Sequence, residues 1–234
     1  MSHPKHWSYS SLSVWMECPK RFKFQYTGDV PAKITSPAME RGNRIHEALE
    51  LSVPRFVTGE ADKISVPLAD LKWTDEDAAY WRDRFAALRR FGKTVVAEGK
   101  WDFDEDWNDP QVTKQPRWAT MKLDLSWQEK KSVLDVVDYK TGKVYPQKHR
   151  QQGEVYAIGA LARNENLKSV RMAFWYLDQR HVEVETYTPD KIKMLAKRWR
   201  RRAEEMLADR QYKPTPGFHC RFCPLKDHCP DAAT

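Results

Sequence analysis

The chain has 234 residues, of which 41% are hydrophobic and 31% charged, and it carries ten tryptophans, a composition that excludes an intrinsically disordered polypeptide. Forty Lys and Arg against 33 Asp and Glu leave a net charge of +7, which favours a polyanionic partner over an acidic protein surface. No stretch approaches the roughly 18 apolar residues of a membrane span, and the opening MSHPKHWSYSS lacks the apolar core of a secretory signal, so no membrane partner and a cytoplasmic location are expected.

The length fits one cooperative unit, a single domain over 1–234. SYSSLSVWMECPKRFKFQY (8–26) offers Ser10 or Ser11 as an N-cap, with Leu12, Trp15 and Met16 at helical spacing and Pro19 as a break before Phe22 and Tyr26. Two short helices with Cys18 at their junction are predicted. SPAMERGNRIHEALELSV (36–53) starts on Ser-Pro and places Ile45, Leu49 and Val53 on one stripe, giving a helix that carries His46. Residues 58–72 read as a connection. In 74–96 Thr74 is a cap, and Trp81, Phe85 and Leu88 share a face; this helix is expected as an insertion stacked outside the core.

A strand carrying Glu98 follows over 95–107, then an acidic, Pro-containing loop over 104–117. WATMKLDLSW (118–127) alternates Met121, Leu123, Leu125 and Trp127 with polar residues, and the turn QEKK leads to a second strand, SVLDVVDYKTG (132–142). Asp138 and Lys140 are two apart on that strand and so share a face. QKHRQQGEVYAIGALARNE (147–165) is a helix with Gln152 and Tyr156 one turn apart, VRMAFWYLDQRHVEVETY (170–187) a hairpin, and Asp190 to Arg210 a basic amphipathic helix capped by Asp190. The order of elements predicts mixed α/β architecture around a small central sheet.

Asp124 and Asp138 offer hard oxygen ligands suited to Mg²⁺ or Mn²⁺, and the backbone carbonyl of Tyr139 between Asp138 and Lys140 is a further candidate ligand. A lysine beside such an ion can hold or help deprotonate an attacking water while the metal neutralises a phosphodiester. Asp124, Asp138 and Lys140 are therefore candidate catalytic residues for phosphodiester hydrolysis.

These residues resemble the PD-(D/E)XK nucleases, and within them the RecB-type exonuclease domains. KLDLSW and VLDVVDYKTGK are similar to that family's core motif, with Asp124 as the first acid and Asp138-Tyr139-Lys140 as the D-x-K. GNRIHEALE resembles the helix with a metal-binding histidine, here His46; Glu98 falls where related domains carry an additional acid; QQGEVYAIGA resembles the Gln-x-x-x-Tyr motif, which implies that Gln152 and Tyr156 lie near the active site and touch DNA or position the lysine. Leu123 stands where the pattern name has Pro, and the second acid is Asp. The resemblance implies a restriction-endonuclease-like core over 36–210 and a Mg²⁺- or Mn²⁺-dependent deoxyribonuclease.

The four cysteines are Cys18 and the C-x₂-C-x₅-C set Cys220, Cys223 and Cys229. Four thiolates suit either a 4Fe–4S cluster or Zn²⁺, and His219 or His228 is an alternative to Cys18 in a zinc site. One N-terminal and three C-terminal cysteines resemble the arrangement in iron-sulfur members of the group, namely the CRISPR-adaptation exonucleases, AddB-type nuclease domains and related phage nucleases. That resemblance implies a 4Fe–4S cluster joining 8–35 to 211–230.

The run KIKMLAKRWRRRAEE (191–205) supplies Lys197, Arg198 and Arg201 as candidate phosphate contacts, with Trp199 assigned to the core. Gly92-Lys93-Thr94 is not a P-loop, because Ala87 stands where its first Gly is required, so no ATP motor is read. The favoured function is a DNA exonuclease acting on single-stranded ends in recombination, repair or CRISPR adaptation. A non-catalytic iron-sulfur or zinc DNA-binding module and a structure-specific endonuclease on the same fold are the alternatives.

Overall fold

The computed structural model describes residues 3–28 and 36–232; residues 29–35, the end of the expected cluster segment 8–35, lie outside the described residues. The chain forms two compact units, one of Met1–Pro37, Asp102–Thr120 and Lys197–Thr234, the other of Ala38–Trp101 and Met121–Ala196. In chain order the elements are α1 (Tyr9–Glu17), α2 (Pro19–Tyr26), α3 (Pro37–Thr58), α4 (Leu68–Leu71), α5 (Asp75–Ala86), β1 (Val96–Phe103), α6 (Pro110–Thr113), β2 (Ala119–Lys130), β3 (Val133–Lys140), α7 (Pro146–Arg163), β4 (Ser169–Tyr176), β5 (His181–Tyr187) and α8 (Pro189–Ala208). Among the described residues no helix is long and apolar enough to cross a membrane.

The strands form one five-stranded mixed sheet in the order β1-β2-β3-β4-β5. β2 and β3 are antiparallel with Leu125 opposite Val137, and their turn shrinks to Lys131 and Ser132 because β2 runs on to Lys130. β3 and β4 are parallel, Asp138 beside Phe174 and Lys140 beside Tyr176, as a strand-helix-strand crossover through α7 requires. β4 and β5 close an antiparallel hairpin.

Several elements differ in detail from their sequence signals. The cap of α1 is Ser8, because the Ser11 side chain is engaged in a reciprocal capping box: Ser8 Oγ accepts from the Ser11 N–H (3.2 Å) and Ser11 Oγ from the Ser8 N–H (2.9 Å). Thr74 caps α5 in the same way with Asp77, as predicted. That helix ends at Ala86 and passes into a 3₁₀ stretch, Ala87–Thr94, where Gly92 takes φ 51°. Nor is it outside the core. Trp81 and Phe85 are almost wholly buried, Trp81 stacks on Trp175 (5.7 Å) and Phe85 meets the same indole edge-on (5.3 Å). The apolar stripe of α3 (Ile45, Leu49, Val53) joins them in one cluster with Leu125, Val137 and Tyr139 of the sheet. Burying side chains of this size stabilises by about 1.5–3 kcal/mol each, so α5 is a support of the sheet. Asp190 lies inside the first turn of α8, where its charge suits the helix dipole, and does not cap it.

In the other unit, Trp7 pairs its backbone with strand β2 at Ala119, donating its N–H to Trp118 O (2.9 Å), and its indole packs edge-on against Trp107 and Trp118. Trp199 of α8 is fully buried against Tyr9, as assigned from sequence.

Candidate metal and nuclease site

Three side chains from three elements converge within the unit formed by Ala38–Trp101 and Met121–Ala196. One ligand atom each from His46 (α3), Glu98 (β1) and Asp124 (β2) lies within 4.8 Å of the other two. The amphipathic stripe of α3 is buried under the sheet, which leaves His46, one position after Ile45, half-buried at its margin. His46 Nδ1 lies 3.0 Å from Asp124 Oδ1. Asp124 Oδ2 accepts the backbone N–H of Tyr139 (2.6 Å), which fixes the carboxylate across the β2–β3 pair. Glu98 has a left-handed backbone, φ 51°, unusual for a non-glycine residue within a strand. Backbone strain of this sort concentrates at functional sites.

The electrostatics agree with a crowded anionic centre. Burial pushes the Glu98 carboxyl up, and the neighbouring charges of Asp124 and Glu50 add to it. Burial alone would lower His46, but its hydrogen bond to Asp124 and the charges of Asp124 and Asp138 outweigh this and raise it. Asp138, 4% exposed, is pushed up to about 6 by burial, with Asp124 reinforcing and Lys140 opposing. A cation brought among these groups would relieve their mutual repulsion.

Asp138 heads a second, adjoining network. Gln152 of α7 donates from Nε2 to Asp138 Oδ1 (2.6 Å) and to Tyr156 Oη (2.9 Å), and its Oε1 accepts from Lys140 Nζ (2.8 Å). Lys140 also forms an ion pair with Asp138, and its ammonium lies 5.7 Å from the centre of the Phe174 ring. The i, i+4 spacing of Gln152 and Tyr156 on α7 brings both to Asp138 and Lys140. Asp138 Oδ2 is buried and is the oxygen that faces Lys140 Nζ in this ion pair. Three converging ligands beside a buried carboxylate fit a divalent cation, and the donor set of carboxylates and imidazole suits Mg²⁺ or Mn²⁺. Asp138 is not in the His46–Glu98–Asp124 group, because its carboxylate is held by Gln152 and Lys140.

In the other unit, Cys18, Cys220, Cys223 and Cys229 line one small cavity together with Arg21, Phe24 and Leu225. Cys18 sits at the α1–α2 junction, as predicted, and the other three lie on consecutive turns closed by Cys220 N–H to Gly217 O, Cys223 N–H to Cys220 O and Cys229 N–H to Lys226 O. None of the four is in a disulfide. His219 lines the same cavity; His228 does not.

The basic helix is partly neutralised. Arg201 is exposed and 3.7 Å from Glu205, Arg198 places its guanidinium 5.7 Å from the buried Trp199 ring, and Lys197 is exposed. All three belong to the unit that holds the cysteines, not to the one that holds Gln152 and Tyr156.

Residues 6–230 match the model of the PD-(D/E)XK nuclease superfamily. The chain belongs to the PD-(D/E)XK nuclease superfamily. No curated protein sequence matches it significantly. Among solved structures it is similar to a "Putative exonuclease" from Eubacterium rectale, with TM-score 0.52 and 13% identity over 98% of this chain and 90% of that one. It is also similar to the crystal structure of SSO0001, with TM-score 0.47 and 12% identity over 100% and 90%. At such identity the first of these supports the fold alone: a five-stranded mixed sheet flanked by helices, consistent with a restriction-endonuclease-like core.

This PD-(D/E)XK chain also carries a clamp that sequence reading missed. Arg41 of α3 binds both carboxylate oxygens of Asp178 (2.6 and 3.0 Å), and Asp178 Oδ2 accepts the N–H of Gly142 (2.6 Å) just beyond Lys140. Gly142 has φ 85°, which suits glycine, and Gly42 of α3 lies against the Thr141 side chain. The clamp ties the His46 helix to the end of the Lys140 strand. Its only sequence signal was an arginine five residues before His46 on the same helix, too common a pattern to single out.

Proposed function

We propose that the chain is a divalent-metal-dependent DNA exonuclease that hydrolyses phosphodiester bonds from single-stranded ends. The observation that carries this reading is the convergence of His46, Glu98 and Asp124 beside the Asp138–Lys140–Gln152 network. His46, Glu98, Asp124 and Asp138, with the backbone carbonyl of Tyr139, would hold Mg²⁺ or Mn²⁺. Such an ion, when bound, neutralises charge on the scissile phosphodiester and acidifies the attacking water. Lys140 is held by Gln152 Oε1 and Asp138, so its remaining N–H donor can orient the attacking water or a non-bridging phosphate oxygen. Gln152 fixes that ammonium and bridges it to Tyr156, whose phenol burial keeps protonated. Lys197, Arg198 and Arg201 are proposed as phosphate contacts.

The four cysteines are proposed as ligands of a 4Fe–4S cluster of structural role. The single cavity they line supports a shared metal site, and the resemblance to iron-sulfur members of the family favours a cluster over zinc. The name of the Eubacterium rectale structure and the RecB-type resemblance support action from ends, in recombination, repair or CRISPR adaptation. End dependence is tested by comparing linear with circular single-stranded DNA of one sequence under Mn²⁺. An exonuclease degrades only the linear form, whereas equal degradation of the circle would replace this reading with an endonuclease.

A further inference from the structure

Next to the cysteines, the 3₁₀ turn Phe218–Phe222 turns two aromatic rings outward. Phe218 and Phe222 are 72% and 75% exposed, with their centroids 5.5 Å apart and the rings edge to face. The guanidinium of Arg221 lies 5.4 Å from the centre of the Phe218 ring; among the described residues it forms no ion pair with a carboxylate. Burying either ring would be worth about 1.5–3 kcal/mol, so leaving two adjacent rings in water forgoes stability that this fold collects elsewhere. Their presentation is fixed. Cys220, between them, is buried, its N–H bonded to Gly217 O (2.9 Å), and Pro214 and Pro216 stiffen the approach.

What the patch fits follows from its shape and charge. Two exposed rings with a guanidinium stacked beside them present flat faces that accept another planar group, and a sequence-tolerant planar group on a polyanion is an unpaired nucleobase. Arg221, Lys213 and Lys226 are exposed along the same segment and, among the described residues, outnumber its one exposed, unpaired acid, Asp227, since Asp231 is already paired with Lys20 (2.7 Å). We propose that Phe218, Arg221 and Phe222 form a stacking platform for unpaired bases of single-stranded nucleic acid. This deepens the nuclease reading, on which its choice of partner rests, by giving bases a contact apart from the hydrolytic residues.

The test is fluorescence anisotropy of the full chain, without added divalent metal, with labelled oligodeoxythymidylate and with an abasic strand of equal length. The Phe218→Ala, Phe222→Ala double variant should bind the thymidylate strand about tenfold or more weakly and the abasic strand unchanged. Tyrosine at both positions should keep wild-type affinity, which excludes misfolding as the cause. A wild type that binds neither strand, or both equally, overturns the proposal, as does an equal loss on both strands. So does a double variant that loses only self-association, which would make the rings a protein contact. Hydrolysis is measured separately with Mn²⁺: base-dependent binding without cleavage sinks the nuclease reading alone, and cleavage indifferent to the rings sinks the platform alone.

Discussion

His46 and Asp124, brought together from helix α3 and strand β2, meet with Nδ1 and Oδ1 3.0 Å apart. In the proposed metal site this pair is held in place, since Asp124 is simultaneously anchored by the Tyr139 N–H. Replacing His46 with Ala should weaken Mn²⁺ binding about tenfold or more, and Asp124→Ala should weaken it further because a ligand and its anchor go together. Calorimetric titration of both variants checks this; undiminished Mn²⁺ affinity in His46→Ala would remove His46 from the ligand set.

Gln152 should act through Lys140 and not on its own. Gln152→Ala is expected to slow cleavage roughly 10–100-fold. Added to Lys140→Ala it should cost little more, because both substitutions abolish one interaction. Single-turnover rates of the two single variants and the double variant decide this, and fully multiplicative losses would contradict it.

His149 is a buried acid-sensitive group behind the site. Its Nδ1 lies 2.8 Å from Tyr176 Oη, its ring stacks on Phe174, and burial, with the charges of Lys140 and Lys148, lowers its pKa to about 4. Above the unfolded value near 6.5 both states are neutral and stability is complete. As pH falls below that, the unfolded chain takes up a proton that the folded one refuses, so stability declines until about pH 4. Between pH 7.5 and 5 the loss due to this residue should be about 2 kcal/mol. Urea denaturation at both pH values should show a smaller decline in His149→Gln than in wild type; equal declines would exclude His149 as the source.

Anaerobically purified protein should carry about four iron and four sulfide per chain. Cys18→Ser should lose them and lower thermal stability, because the link between the chain ends is then gone. One zinc per chain in place of iron would contradict the cluster.

Much of the site was legible because its signals are local. The D-x-K spacing puts Asp138 and Lys140 on one strand face, and the helical spacing of Gln152 and Tyr156 puts them on one side of α7; both pairs are found together. What pairs with what was not legible, because contacts between distant elements leave no spacing. Thus the Gln152 hydrogen bond to Asp138 and the reach of Arg41 to Asp178 from far along the chain have no spacing signal in the sequence. The placement of α5 failed for the same reason: its amphipathic face is visible in sequence, but the partner of that face, Trp175, is not. Glu98 was found by resemblance, and its left-handed backbone has no counterpart in the sequence string.

The central claim is that Asp124, Asp138 and Lys140 hydrolyse DNA with a divalent ion. The most direct measurement is digestion of 5′- and 3′-labelled single-stranded DNA with Mn²⁺ or Mg²⁺, comparing wild type with folded Asp138→Ala. The account predicts shortening by wild type, abolished by chelation and reduced roughly 100-fold or more in the variant, the first label lost giving the polarity. Equal cleavage by both proteins, or none by anaerobically prepared wild type with either metal, would contradict it.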